Sequence, residues 1–253
     1  YAKKKDTLCI DTDPVNATFL GFKKLNVKKL DLMEGDEIDP RKFDNLVELI
    51  SKSKSDVVID NGASTFVALS HYLISNHIPA LLKEMGHELI VHTVITGGQA
   101  LSDTLNGFDL MIKQFSSDIT FVVWLNPFWG KIESNGKSFE SMKVYLDNKS
   151  RVSAIIKIPD YKAETFGRDL SEMLQAKLTF DGINHHESPT ANNNTKRSLW
   201  AIRRCTSRIS MSTIDEKIDE AIQQIASNHG IAVSKDDPIM ILHTMNDRLI
   251  SDS

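Results

Sequence analysis

Five short apolar runs stand out along the first two thirds of the chain: Thr7-Leu8-Cys9-Ile10, Asp56-Val57-Val58-Ile59, Leu89 to Val94, Ile119 to Leu125 and Val152 to Ile156. Their apolar content is nearly continuous rather than alternating, which is the pattern of strands covered on both faces of a parallel sheet. Between them, helical patterns run over Arg41 to Ser51, Phe66 to Met85, Gln99 to Phe115 and Ser138 to Ser150, the first announced by Asp39-Pro40. This alternation predicts an α/β fold with a doubly wound, mostly parallel sheet, whose ligands gather at the carboxyl ends of the strands.

Past residue 187 the pattern changes. Residues 188–210 have turn-prone composition and no helical or strand period, as a linker does. Ser212-Thr213-Ile214-Asp215 then reads as a helix start, and Ile214, Ile218, Ala221, Ile222 and Ile225 form one apolar face before Gly230 stops it. Asp237-Pro238 predicts a second helix with Ile239, Leu242, Met245 and Leu249 on one side. The expectation is an α/β domain over 1–187, a linker over 188–210 and a two-helix tail over 211–253. A hairpin that small must pack on the main domain or on a partner.

Charge sharpens these joints. The net charge of -4 divides into -4, +5 and -5 over the three parts, and residues 188–210 hold no acidic side chain at all. A net negative chain is not built to coat nucleic acid, and no direct nucleic-acid signature is present. With 41% hydrophobic and 25% charged residues the chain can bury a core. No window approaches the ~18 consecutive apolar residues of a membrane helix. Cys9 and Cys205 lie in unrelated contexts, so a reducing, cytoplasmic compartment is expected. Neither GxSxG, HExxH nor CxxC occurs, and the histidines lack metal-ligand spacing, so hydrolase-triad and zinc readings have no support.

The chemistry is therefore sought at the strand ends. The first visible strand runs into Asp11-Thr12-Asp13-Pro14, two carboxylates on one face that can hold Mg²⁺ or position a water, or can simply end a strand. The second ends in Asp60-Asn61-Gly62: an apolar run ending in Asp suits a Mg²⁺-holding carboxylate, and Gly62 lets a phosphate approach the backbone. Thr96-Gly97-Gly98 ends the third, either as an anion-receiving turn or as a tight strand-to-helix connection. The fourth ends in Asn126-Pro127-Phe128-Trp129-Gly130, an amide beside aromatics that can read and cover a base, pack in the core, or face a partner. The fifth ends at Ile158-Pro159-Asp160.

The run from Leu8 to Thr18 resembles the aspartate segment that follows the phosphate loop in deviant Walker P-loop ATPases of the ParA/MinD type. Met33 to Ile38, Ile59 to Ser64, Leu69 to Ile74 and Asn126 to Gly130 resemble a family of plasmid conjugal transfer proteins. The resemblance covers residues 1 to about 187 and implies an ATPase that uses ATP and Mg²⁺. It assigns Asp60 to Mg²⁺ through water, Asp11 and Asp13 to Mg²⁺ and the attacking water, Gly62 to the phosphates, and Asn126 with Pro159 to adenine. It also implies other conjugal transfer proteins as partners and an ATP-driven homodimer. That family begins with a strand, a KGGxGK[ST] loop and a helix, none of which stands in this sequence. A chain lacking its first strand and phosphate loop, with little affinity for ATP, is the expectation.

Met211-Ser212-Thr213 looks like a translation start, and residues 211–253 resemble the beginning of a second conjugal transfer protein. Residues 188–210 then read either as a shifted frame joining two genes or as a natural linker to a docking tail. Two competing functions remain. Asp11-Thr12-Asp13-Pro14-Val15 also fits the DxDx[TV] pattern of haloacid-dehalogenase-type phosphatases, with Asp11 as nucleophile and Asp13 as acid/base. A non-enzymatic docking protein is the other.

Overall fold

The computed structural model describes residues 7–117, 119–158, 171, 173–179 and 239–244. In chain order its elements are β1 (Thr7–Asp11), β2 (Lys28–Lys29), the hairpin β3 (Met33–Glu34) and β4 (Glu37–Ile38), α1 (Phe43–Ser51), β5 (Asp56–Asn61), α2 (Ala63–Ser75), α3 (Ile78–Glu84) and β6 (Glu88–Thr96). There follow α4 (Leu101–Gln114), β7 (Thr120–Asn126), the hairpin β8 (Glu133–Ser134) and β9 (Lys137–Ser138), α5 (Lys143–Asn148), β10 (Val152–Lys157) and β11 (Ile239–Thr244). All five predicted strands form. They lie in one seven-stranded sheet of order β10-β7-β6-β11-β5-β1-β2, and every pairing within it is parallel.

The five helices cover one face. Phe43, Leu46 and Ile50 of α1, Leu69 and Leu73 of α2, Leu82 of α3 and Phe108, Met111 and Ile112 of α4 pack in one core with Ile10, Ile59, Val91, Ile95, Phe121 and Val123 of the strands. Alternate strand positions point the other way. There Ile90, Val122 and Ile156, with Trp124 and Ala154, make a small second cluster to which none of the five helices contributes. Ile90, Val122 and Ile156 are nonetheless buried, and residues 171 and 173–175 are also helical, with Met173 buried.

The predicted helix over Phe66 to Met85 is two helices. His77 adopts a left-handed conformation (φ 52°), and Pro79, lacking an N–H, begins a new helix where that donor is not needed. Asn76 Nδ2 donates 2.9 Å to the Tyr72 carbonyl and closes the end of α2. The pattern over Ser138 to Ser150 yields only Lys143–Asn148 as α-helix, flanked by 3₁₀ turns.

The larger correction concerns the tail. The helix predicted from Asp237-Pro238 does not form over its first residues: Ile239–Thr244 is a strand, β11, inside the sheet. Ile-Met-Ile-Leu is a continuous apolar run, and burial between two strands favours the extended form for such a run. The linker at 188–210 and the helix expected around Ile214 to Ile225 lie outside the described residues.

Candidate functional site

β1 and β5 pair in register so that Asp11 stands opposite Asp60 at their carboxyl ends. Neighbouring strands are about 4.8 Å apart and paired positions share a face, so the fold sets the two carboxylates side by side. Thr12 fastens the junction: its N–H and its Oγ1 each donate 2.9 Å to the Asp60 carbonyl, and Oγ1 also reaches Asn61 Oδ1 at 3.2 Å. Thr65 in the first turn of α2 donates 2.6 Å to the same Asn61 oxygen. Asn61 is fully buried, and its Nδ2 has no hydrogen-bond partner among the described residues.

The loop after β1 folds over its own aspartates. Asp11 Oδ1 accepts from the Asp13 N–H (3.0 Å) and Oδ2 from the Leu20 N–H (2.9 Å). Asp13 Oδ1 accepts from the N–H groups of Val15 (2.8 Å) and Asn16 (3.1 Å). Burial pushes the Asp11 carboxyl above its ordinary value; its two backbone donors oppose the rise, and the charges of Asp60 and Asp13 add to it. Asp11, Asp13 and Asp60 are thus brought together, with Gly62 capping the helix that follows Asp60. Asp11 is an anchor of the loop. With 0% exposure and both oxygens engaged it is poorly disposed to act as a nucleophile, which counts against the phosphatase expectation.

Asn126 ends β7 at the same edge of the sheet, but β6 and β11 intervene, which separates it from Asp60 by roughly 14 Å. Its Oδ1 accepts from the Phe128 N–H (3.1 Å), so the amide shapes the turn that follows. Phe128 is 73% exposed and meets Trp129 edge to face at 5.1 Å. These rings are at the surface and not in the core. Gly97 and Gly98 pack beneath that turn: a β-carbon on Gly97 would lie 1.9 Å from the Gly130 carbonyl oxygen, and one on Gly98 would lie 2.2 Å from that of Trp129. The glycine pair is therefore a close-packing device rather than an open anion cradle. Pro159 lies outside the described residues.

Protein TraL of Escherichia coli is 62% identical to this chain over 202 residues, which are 80% of this chain and 83% of that protein. The chain belongs to the TraL family. A second TraL protein of E. coli is 63% identical over 179 residues, covering 71% of this chain and 74% of its own length. The remaining end of this TraL-family chain has a different kinship. The family described as transcriptional activator TraM matches residues 216–253. Protein TraM of E. coli is 55% identical over 40 residues, 16% of this chain and 28% of that protein. No solved structure matches the chain.

Among the described residues no group of three or more His, Cys, Asp or Glu is arranged to hold a metal ion, and no helix is long and apolar enough to cross a membrane. Sequence reasoning missed Thr12, Thr65 and Lys177. The Lys177 ammonium is 5.5 Å from the centre of the Phe22 ring and its stem lies against Gly21, beside the Leu20 amide that holds Asp11. The two threonines follow from the strand-end spacing. Lys177 had no signal in the sequence, because only folding brings it there.

Proposed function

We propose that this TraL-family chain is a component of plasmid conjugal transfer whose acidic strand ends belong to a Mg²⁺-nucleotide site of the deviant Walker type. The observation that carries the reading is the register that sets Asp11 opposite Asp60, with the Asp13 loop folded over the pair. Asp60 and Asp13 suit a hydrated Mg²⁺ held through two carboxylates, and Asn61 Nδ2, with no partner among the described residues, suits an acceptor oxygen beside it. Bound Mg²⁺ and ATP would supply a polarised phosphoryl group. The chain's own part is to orient that cation through Asp60 and to keep the loop rigid through Asp11. Gly62 fits a close approach of the phosphates to the start of α2, and Asn126 suits a more distant role at the base. ATP hydrolysis and an ATP-driven homodimer belong to this reading as consequences of the ParA/MinD resemblance.

Three clustered carboxylates repel a triphosphate unless a cation intervenes, and the sequence has no KGGxGK[ST] run to receive it. Titration with ATP and Mg²⁺ should therefore give a dissociation constant weaker than about 1 mM, against the micromolar range of a complete site. The residual binding should disappear in Asp60→Ala and persist in Phe128→Ser. Binding indifferent to Asp60 would remove the nucleotide reading.

A second reading is favoured by one observation, the exposed Phe128 and Trp129 pair, which suits docking to another transfer protein without hydrolysis. Capture of that partner by the full chain without nucleotide, unchanged by Asp60→Ala and lost on Phe128→Ser, would support it.

A further inference from the structure

β2 is an edge strand of the sheet: β1 pairs with it on one side, and among the described residues no strand pairs on the other. This edge carries charge in two blocks of opposite sign. Between Asp13 and Asp31 the chain has no acidic residue, and Lys23, Lys24, Lys28 and Lys29 are all exposed. Residues 31–37 hold no basic residue, and Asp31, Glu34, Asp36 and Glu37 are exposed in turn, the last three on the β3–β4 hairpin. Of these side chains Glu34 alone has an ion pair among the described residues, at 3.2 Å to Arg41.

Both blocks are held in place. Leu30 and Leu32, which lie between them in the chain, are buried in the main core. The Leu30 N–H donates 2.9 Å to the Asp11 carbonyl, and the Asp39 N–H donates 2.9 Å to the Leu32 carbonyl across the base of the hairpin. Lysines on a strand edge ordinarily keep other strands away, and that role accounts for Lys28 and Lys29 taken by themselves. It does not account for four carboxylates placed immediately beyond them.

Opposite blocks side by side on a fixed edge are self-complementary. A twofold axis through the edge near Leu30 reverses their order, so the lysines of one copy meet the carboxylates of the next and the reciprocal contact forms with them. We propose that the β2 edge with the β3–β4 hairpin is a self-association surface, whose occupant is a second copy of this chain. Other occupants answer half of it. A nucleic-acid or lipid phosphate surface that reached the lysines would also meet the carboxylates, and an acidic peptide on the lysines would leave the hairpin unmatched. Pairing of two copies about an axis at β2 itself sets lysine against lysine, which fixes the axis near Leu30. Exposed ion pairs are individually weak, so the association is in the micromolar range and sensitive to salt. It needs no nucleotide, which separates it from the ATP-driven homodimer, and it is independent of Mg²⁺ at the acidic strand ends.

Sedimentation of the full chain without nucleotide, in about 50 mM salt, should show a monomer–dimer equilibrium that weakens at least about tenfold in about 500 mM salt. Lys28→Glu with Lys29→Glu makes the edge largely acidic, and Asp36→Lys with Glu37→Lys makes it largely basic. Each variant by itself should associate about tenfold more weakly than the parent, and an equimolar mixture should recover a dimer within about threefold of it, because each copy supplies the sign the other lacks. A parent chain that stays monomeric, a dimer indifferent to salt, a variant that associates like the parent, or a mixture of folded variants that stays monomeric overturns the proposal. So does a parent monomer that instead captures a DNA duplex or polyglutamate through Lys28 and Lys29. Should a variant misfold, a carbodiimide, which joins a lysine amine to a carboxylate with loss of water, decides on the unaltered chain. Isotopically mixed copies should then cross-link between unlike copies from residues 23–29 to residues 31–37, and a cross-linked dimer without those bonds overturns it equally.

Discussion

The sheet has two different mouths at its carboxyl edge. At β1 and β5 the polar groups turn inward: Asp11, Thr12, Asp13 and Asn61 are buried, the two aspartates accept from loop N–H groups, and Thr12 donates to the Asp60 carbonyl and to Asn61 Oδ1. At β7 the loop turns outward, with Asn126 closing its own turn and Phe128 and Trp129 left in solvent. In the first mouth stability and chemistry share the same side chains, and a change to one disturbs the other. In the second the glycines underneath hold the loop while the aromatics above are free to be changed, so support and recognition separate.

The largest effect is expected beneath the aromatic mouth. Gly98→Ala combines a φ of +66° with a β-carbon 2.2 Å from the Trp129 carbonyl oxygen, and it should cost about 3 kcal/mol in urea unfolding. A smaller loss would mean that the turn is not braced from below. In the acidic mouth, Thr65→Val keeps the shape but removes one of the two donors to Asn61 Oδ1. A loss of about 1–2 kcal/mol is expected, read by the same method. Asp13→Ala uncaps the Val15 and Asn16 amides and should cost about 1 kcal/mol, while lowering the raised Asp11 value because a neighbouring charge is gone. Carboxyl titration by NMR reads that second effect.

Acid dependence distinguishes the mouth from the core. Burial lowers the His87 value below 6.5, and the nearby Asp56 charge opposes the shift. The unfolded chain then binds that proton more readily, so stability rises with pH up to about 6.5, and His87→Leu should flatten this slope. Asp11 has the opposite sign. Its raised value makes the folded state hold the proton, so its contribution is full below 3.8 and is lost as pH rises through the folded value. Unfolding midpoints of His87→Leu and Asp11→Asn against pH should therefore depart from those of the parent chain in opposite senses. Smallest of all is Phe128→Ser, which should leave stability within about 0.5 kcal/mol. A larger loss would make the aromatic mouth structural and end the contrast.

Much of this was legible in the apolar runs. All five predicted strands form, because a parallel strand buried on both faces writes its burial directly into its residues. The Asp11 and Asp60 strand ends were visible for the same reason. The break in the helix at His77 was signalled by Pro79, yet the apolar period continued across it. The Asn135-Gly136 turn of the β8–β9 hairpin was equally present and was hidden by its two-residue strands. β11 was unreadable in another way. Ile239, Leu242, Met245 and Leu249 fit a helix while Ile239 to Leu242 fit a strand, and only the slot between β5 and β6 decides. The close approach of Gly97 to Gly130 is a tertiary fact with no local pattern.

The position of β11 has a consequence for how the protein is made. β6 ends at Thr96, but the strand it pairs with is not finished until Thr244. A bacterial ribosome needs roughly ten seconds to add that length of chain. Through that interval β5 and β6 have been made while the strand that pairs with both has not, and an unpaired apolar edge is the kind of surface that chaperones bind and that aggregates nucleate on. Among the described strands β11 is the last in chain order, so both of its neighbours are translated before it.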